Sequence, residues 1–147
     1  MGVVGTQIQR IDSEGRPNGN WPLPTDPDLI AWKLLFHNYL CHPTVMMRRS
    51  LLEDLGGYAE WATHAEDYEL WTRVVLQSQL VNLPDPLHKL RRHGDSITAT
   101  KREEQVRNCA EATANIHGEV LGSSADAGIA HFLAWMEAEG IERAVSE

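Results

Sequence analysis

Two adjacent carboxylates, Glu66 and Asp67, are the residues whose position is best suited to acid–base chemistry. They precede apolar residues at helical spacing, so they fall in the first turn of a predicted helix. Unpaired backbone N–H groups and the positive end of the helix dipole stabilise an ionised carboxylate there, which is the form a general base needs. Asp67 could therefore deprotonate a hydroxyl group. Acidic residues also prefer the first turn as helix caps, and position alone favours that interpretation.

A basic run from His88 to Asp95, continued by Lys101 and Arg102, is the second candidate for chemistry. Arginine presents a planar fork of donors that suits phosphate oxygens, and histidine can bind phosphate or a divalent metal. The alternative is a solvated strand end whose arginines pair with some of the 21 acidic residues. Composition alone leaves both interpretations open.

Size and composition limit the classes of protein to which these residues can belong. The chain has 147 residues, the usual size of one domain with one hydrophobic core. Its formal charge of −8 argues against broad contact with nucleic acid. Cys41 and Cys109 are too few for a disulfide framework, and no apolar stretch is long enough to cross a bilayer. We therefore expect a cytoplasmic protein, or one peripheral to a membrane.

The elements predicted to position the candidate residues begin with a strand, Val3 to Ile11, which leads into a turn. Gly15 to Pro27 contains four prolines and predicts an irregular loop. Asp26 or Asp28 then caps a helix, whose apolar periodicity ends near Cys41.

The central part of the chain predicts a strand and two helices. Thr44 to Arg48 is typical of a short buried strand, and Ser50, with Glu53 three residues later, predicts the N-cap of a brief helix. Gly56-Gly57 predicts the end of that helix. The pattern from Glu66 to Gln77 predicts a well-buried helix.

The last third predicts strands followed by helices. Leu80 to Leu83 and Pro86 to Leu90 indicate two short strands, separated by prolines that prevent regular pairing. Two apolar stripes then predict two amphipathic helices. The stripes consist of Val106, Cys109, Thr113, Ile116 and Val120, and of Ile129, Phe132, Leu133 and Met136.

Several motifs in one order resemble those of family 2 glycosyltransferases, which are inverting enzymes of the GT-A fold. The motifs are His42-Pro43-Thr44-Val45-Met46-Met47-Arg48-Arg49-Ser50, Gly56-Gly57-Tyr58 and Glu66-Asp67-Tyr68-Glu69-Leu70-Trp71-Thr72-Arg73, then Asn82-Leu83-Pro84-Asp85-Pro86-Leu87, Arg91, Arg92, His93 and Ser96. The match runs from about His42 to Thr98 and resembles the acceptor-side, C-terminal half of these enzymes.

The resemblance implies that Asp67 is the general base, which deprotonates the acceptor hydroxyl as it attacks the anomeric carbon of the donor sugar. The resemblance therefore favours the base role of Asp67 over helix capping, which becomes a compatible secondary role. The acceptor site would also include or adjoin Glu66, His64, His42 and Trp71.

On the donor side, the resemblance is looser. Arg92 or Arg91 would offset the charge of the departing nucleoside diphosphate, and His93 would reach a phosphate or a divalent metal.

Tyr58 and Trp61 are further aromatic candidates. They could stack on a sugar ring, or they could anchor the Gly56-Gly57 turn in the core. The sequence leaves both interpretations open.

The resemblance implies an α/β fold in two parts: a partial GT-A-like mixed sheet with flanking helices over residues 1–98, and a C-terminal helical pair over residues 99–147. Val3 to Gly15 looks like the strand and hairpin after the family's metal-binding Asp-x-Asp segment, so the nucleotide-binding half would precede Met1. That half would bind the nucleotide sugar and Mg²⁺ or Mn²⁺, and the chain alone is expected to be inactive. Asp26-Pro27-Asp28 follows a proline-rich loop and is interpreted as a helix cap.

The rival interpretation is a non-catalytic binding or assembly module derived from a glycosyltransferase. A sheet without its neighbouring strands would expose an edge and an apolar face, which other chains usually cover. We therefore expect the chain to form a homodimer or to bind a complementary N-terminal half. If the chain is part of a transferase, we also expect a carbohydrate acceptor as its ligand. We do not expect it to bind nucleic acid.

Overall fold

The computed structural model describes residues 1–91 and 101–122. Its elements are β1 (Val3–Ile11), β2 (Pro17–Trp21), α1 (Pro27–Leu34), a 3-10 turn (His42–Thr44), β3 (Met46–Met47), α2 (Arg49–Asp54), α3 (Glu66–Val75), β4 (Leu80–Arg91) and α4 (Arg102–Leu121). This mixed α/β structure confirms the predicted fold class. Residues 1–113 form one compact unit, which contains all the contacts discussed below. No helix in the described ranges has the length and apolar character needed to cross a bilayer.

Among the described residues, strand β1 is the centre of a four-stranded mixed sheet. Its first residues, Val3 and Val4, pair antiparallel with β3, and its second half pairs antiparallel with β2. Its other edge pairs in parallel with β4 along its whole length. Because every strand pairs with β1, the predicted strand from Val3 to Ile11 is confirmed and organises the sheet.

The main core lies where α3 packs against α1 and the sheet. Its residues are buried, with the largest contribution from Trp71, which has no exposed surface. The Tyr68 hydroxyl donates to the carbonyl of Leu34, 3.0 Å away, and forms a further hydrogen bond with Thr113 Oγ1. The buried residues of this core are Val3, Ile30, Leu34, Leu40, Tyr68, Leu70, Trp71, Val74, Leu80 and Ala112.

The segment between β1 and the end of α1 differs from the prediction in two places. Pro17–Trp21 forms β2, where an irregular loop was predicted, because its backbone pairs with β1. Asp26 caps α1 as predicted, since its Oδ1 accepts a hydrogen bond from the Leu29 N–H at 2.8 Å. The helix ends at Leu34 rather than near Cys41, and the chain then leaves the helical path as a loop.

The predicted buried strand from Thr44 to Arg48 is wrong in length and burial. Only Met46–Met47 is a strand, and Met46 is 78% exposed. Thr44 belongs to the 3-10 turn, where its hydroxyl oxygen accepts from the Thr6 N–H and its hydroxyl proton is donated to the Cys41 carbonyl.

The ends of α2 confirm one expectation and correct another. The N-cap position is Arg48 and not Ser50, and no side chain caps this helix end. Gly56 and Gly57 both have a φ of 77°, a left-handed conformation that favours glycine and ends the helix as predicted.

Strand β4 is continuous where two short strands were predicted. The prolines instead shift its register with β1, so that Thr6 pairs with Leu83 and Gln7 pairs with Pro86. Within the described residues β4 pairs only with β1, and prolines in sheets are found in such edge strands, where a missing N–H can face away from the partner. Helix α4 confirms the first predicted C-terminal helix, whereas the stripe from Ile129 to Met136 lies outside the described residues.

An ion pair fixes α3 to the glycine turn after α2. Arg73 donates through Nε and Nη2 to the two carboxylate oxygens of Glu69, at 2.6 and 2.7 Å. The same guanidinium donates to the carbonyls of Leu55 and Gly57, at 2.6 and 2.8 Å. Because Glu69 is buried, these bidentate hydrogen bonds compensate a charge that has lost its water.

Replacing Arg73 by Met should lower the free energy of unfolding by about 3 kcal/mol, because the Glu69 carboxylate stays buried without its partner. The exposed pair Arg49–Glu53 has the same four-residue spacing and provides the control. Arg49→Met should change the stability by less than about 0.5 kcal/mol. Urea denaturation followed by circular dichroism measures both values, and equal losses in the two variants would contradict the expectation.

Candidate active site

Asp67 lies in the first turn of α3, as the sequence predicted. The N-cap residue Ala65 provides no side-chain hydrogen bond, so no capping side chain competes for the N–H groups of this turn. The half-buried Asp67 carboxylate accepts a hydrogen bond at Oδ2 from Asn38 Nδ2, 2.9 Å away. Its neighbour Glu66 is exposed. The structure therefore places one carboxylate in a defined contact and leaves the other in solvent.

The loop before α3 is held by the beginning of α4. Gln105 Nε2 donates to the carbonyl of His64 and Asn108 Nδ2 donates to the carbonyl of Thr63, both at 2.8 Å. His64 has a φ of 65°, which is uncommon for a residue with a side chain. Its Nε2 lies 3.6 Å from Glu104 Oε2. These contacts fix the entry to α3, and they turn His64 towards α4.

An aromatic cluster lies one helical turn beyond Asp67. The His42 ring centroid is 6.0 Å from that of Trp71 and 5.8 Å from that of Tyr58. His42 Nε2 and the Tyr58 hydroxyl are hydrogen-bonded at 3.1 Å. His42 and Tyr58 are exposed, whereas Trp71 is fully buried beneath His42. Trp71 therefore supports the histidine ring and has no surface for a ligand.

The Asp67 carboxylate lies near two largely buried thiols, Cys41 and Cys109. The pKa of the Cys41 thiol is raised from 9.0 to about 11. Burial is the larger cause of this rise, and the charge of the nearby Asp67 carboxylate is the smaller one. The same two causes, in the same order, raise the pKa of Cys109 to about 11. Asp67 thus lies near Cys41, the residue before His42. The structure brings Asp67, His42 and Trp71 into one neighbourhood.

Arg91 is the last residue of β4, and its side chain contacts the β1–β2 turn. Its Nη1 donates to the carbonyls of Asp12 and Ser13, at 3.0 and 2.7 Å. No contact within the described ranges joins it to Asp67. Arg92 and His93, the other residues of the predicted donor-side group, lie outside the described residues.

Across residues 1–91 and 101–122, no group of three or more His, Cys, Asp or Glu side chains lies close enough together to hold a metal ion. The Asp26 carboxylate is engaged as the cap of α1. The described residues therefore do not fit a divalent cation, and no chemical step is assigned to one.

A depression of about 320 Å³ lies at the opposite end of α3, between the start of α1 and the residues that lead into β4. Its lining includes Asp28 and Val75. Because a helix rises 1.5 Å per residue, Val75 is roughly 12 Å along the axis from Asp67. The depression is therefore separate from the Asp67 neighbourhood.

Sequence reasoning missed Asn38, which contacts Asp67 directly, and the hydrogen bond between His42 and Tyr58. Asn38 follows the end of α1 and has no distinctive spacing to Asp67, which is 29 residues away. Only the folded loop brings the two side chains together.

Comparison with known proteins relates the chain to glycosyltransferases. It is 27% identical over 115 aligned residues to the bifunctional glycosyltransferase pgtA of Dictyostelium discoideum, covering 67% of this chain and 15% of that protein. It is 29% identical over 105 residues to an uncharacterized glycosyltransferase of Haemophilus influenzae, covering 71% of this chain and 30% of that protein. No protein-family profile matches the chain. These distant relatives support a relationship to glycosyltransferases, and the chain spans less than a third of the length of either one.

The raised thiol pKa values predict slow alkylation of both cysteines. At pH 8 a thiol with a pKa of about 11 is ionised about a hundredfold less than one with a pKa of 9.0. Iodoacetamide should therefore label Cys41 and Cys109 at least about a hundredfold more slowly in the folded chain than in the urea-unfolded chain. Mass spectrometry measures both rates, and equal rates would contradict the burial of these thiols.

The same assay tests the position of Asp67. Asp67→Asn removes the second cause of the raised pKa and leaves burial in place, so labelling of both cysteines should become modestly faster. Asp54→Asn, which changes an exposed carboxylate at the end of α2, is the matched control and should leave the rates unchanged.

Proposed function

We propose that this chain is the acceptor-binding and catalytic-base part of an inverting, nucleotide-sugar-dependent glycosyltransferase of family 2, with the GT-A fold. The similarity to proteins named glycosyltransferases supports the general class. The motifs around His42, Gly56 and Asp67 are the basis for the narrower assignment to family 2.

One observation carries the proposal: the Asp67 carboxylate lies at the uncapped N-terminus of a buried helix, beside exposed groups that can contact a ligand. An ionised carboxylate can accept a proton from a hydroxyl group.

The proposed reaction transfers a sugar from a nucleoside diphosphate to an acceptor hydroxyl. The hydroxyl oxygen forms a bond to the anomeric carbon while the bond between that carbon and the phosphate oxygen breaks. Asp67 takes the hydroxyl proton, and the nucleoside diphosphate leaves with the bonding electrons. Attack on the face opposite the leaving group inverts the configuration of the anomeric carbon.

The residues near Asp67 supply acceptor contacts in this proposal. His42 and Tyr58 are exposed and hydrogen-bonded to each other, so their polar atoms and ring faces suit the hydroxyls and the apolar face of a sugar. Trp71 holds the His42 ring from below. Glu66 and His64 adjoin the same helix end, where Glu66 is open to solvent.

The donor side requires groups beyond those described above. Arg91 is engaged by carbonyls of the β1–β2 turn, and the described residues do not fit a metal. We propose that a complementary nucleotide-binding half supplies these groups. A second copy of the chain is the alternative partner, and light scattering at micromolar concentration distinguishes a homodimer from a monomer of 16.5 kDa.

The test combines the chain with a nucleotide-binding half and measures the release of nucleoside diphosphate from a panel of nucleotide sugars, with and without sugar acceptors. Asp67→Asn should lower kcat by about a hundredfold or more, because a general base contributes roughly 10²- to 10⁴-fold. The acceptor KM should change little, since the hydrogen-bonding shape of the side chain is retained.

Asp54→Asn is the matched control, because it removes an exposed carboxylate on α2. It should transfer sugar at the wild-type rate. Equal rates for wild type and Asp67→Asn would remove Asp67 from the base role and favour the non-catalytic module.

A further inference from the structure

We propose that Asn38 is a positioning residue that orients the Asp67 carboxylate, so that Oδ1 is the oxygen that accepts the acceptor proton. This inference rests on the proposed function of Asp67. It assigns a role to a side chain that lies outside α3 and outside the sequence motifs.

The Asn38 carboxamide makes two hydrogen bonds of opposite polarity. Its Oδ1 accepts from the Leu40 backbone N–H at 3.0 Å, and its Nδ2 donates to Asp67 Oδ2 at 2.9 Å. Rotating the amide by half a turn would place its oxygen against the carboxylate and its NH₂ group against the Leu40 N–H. Both contacts would then be repulsive, so the two partners together select one orientation of the amide.

The loop that carries Asn38 is fixed on both sides. The next residue, Tyr39, accepts a hydrogen bond through its carbonyl from Asn82 Nδ2 at 3.0 Å, and Asn82 is buried in β4. The Lys33 ammonium nitrogen lies over the Tyr39 ring, 4.6 Å from the ring centroid. Leu40 is buried in the main core. Asn38 is therefore held by the sheet and the core, independently of Asp67.

The Asn38 hydrogen bond leaves the two Asp67 oxygens in different environments. Oδ2 is engaged by Asn38, whereas no hydrogen bond from the described ranges reaches Oδ1. A free carboxylate could rotate and exchange its oxygens, and a base that is misplaced by about 1 Å can lose roughly a hundredfold in rate. Holding Oδ2 keeps Oδ1 in one place for proton transfer.

The decisive variants are Asn38→Ala and Asn38→Asp. The aspartate retains an oxygen for the Leu40 N–H but, when ionised, cannot donate to Asp67, so full activity of this variant would exclude a positioning role. Asn38→Ala removes the donor without adding a charge beside Asp67. Both variants should lower kcat by about tenfold or more in the transfer assay, with the acceptor KM nearly unchanged. Asn18→Ala, on exposed β2, is the control and should keep the wild-type kcat.

Combining the substitutions shows whether Asn38 acts through Asp67. In the Asp67→Asn background, Asn38→Ala should cause no further loss of kcat, because the group that it positions is already absent. Losses that simply multiply would overturn the proposal. Full activity of Asn38→Asp would also overturn it, since a loop-holding role would then be sufficient.

A measurement on the chain alone keeps the inference separate from the proposed function. In NMR spectra, the side-chain amide protons of Asn38 should shift on Asp67→Asn substitution and should not shift on Asp54→Asn substitution. An unchanged Asn38 amide overturns the positioning role. If Asp67→Asn instead transfers sugar at the wild-type rate while the amide shifts, the contact exists but the proposed base role fails.

Discussion

The burial of α3 is the constraint on which the rest of the structure depends. Six of its ten residues are buried, and Leu70, Trp71 and Val74 pack into the main core. A helix so enclosed must pair its buried charges internally, because an unpaired buried charge is costly. The Glu69–Arg73 pair meets this need and the Tyr68 hydroxyl is also hydrogen-bonded, whereas Trp71 Nε1 is buried without a hydrogen-bond partner among the described residues. The helix therefore cannot rotate or slide without breaking several contacts together.

This rigidity fixes the position of the Asp67 carboxylate in the first turn of α3. Buried residues follow Asp67, while Glu66 lies in solvent, so the carboxylate stands where the core meets the surface. The loop before it is tied down by Gln105 and Asn108 of α4. In the proposed function, this support holds the base in its geometry before a ligand binds, and preorganisation of this kind lowers the cost of reaching a transition state.

The segment between α1 and β3 completes the neighbourhood. After α1 ends at Leu34, the segment is held at Tyr39, whose carbonyl accepts a hydrogen bond from the Asn82 amide. On either side of Tyr39, Asn38 contacts Asp67 and His42 contacts Trp71 on α3. Arg91 is engaged elsewhere, by carbonyls of the β1–β2 turn. The segment therefore gathers, around the start of α3, the side chains to which the proposed function gives the acceptor and base roles.

The sequence by itself determined the elements that depend on local patterns. Apolar periodicity predicted α3 and the placement of Asp67 in its first turn, the β-branched run predicted β1, and Gly56-Gly57 predicted the end of α2. Asp26 was one of two predicted caps of α1, and the structure selects it. Such features are set by neighbouring residues, through helical spacing, capping and the conformational freedom of glycine.

Only the tertiary structure decided the remaining features. Strand β2 and the continuity of β4 depend on pairing with β1, and a proline-rich sequence gives no local indication of that pairing. The contact between Asn38 and Asp67 joins residues 29 positions apart, and the contact between Asn82 and Tyr39 joins residues 43 apart. Single side-chain hydrogen bonds between loops have no periodicity in sequence. They exist because the core has already fixed where each loop must lie.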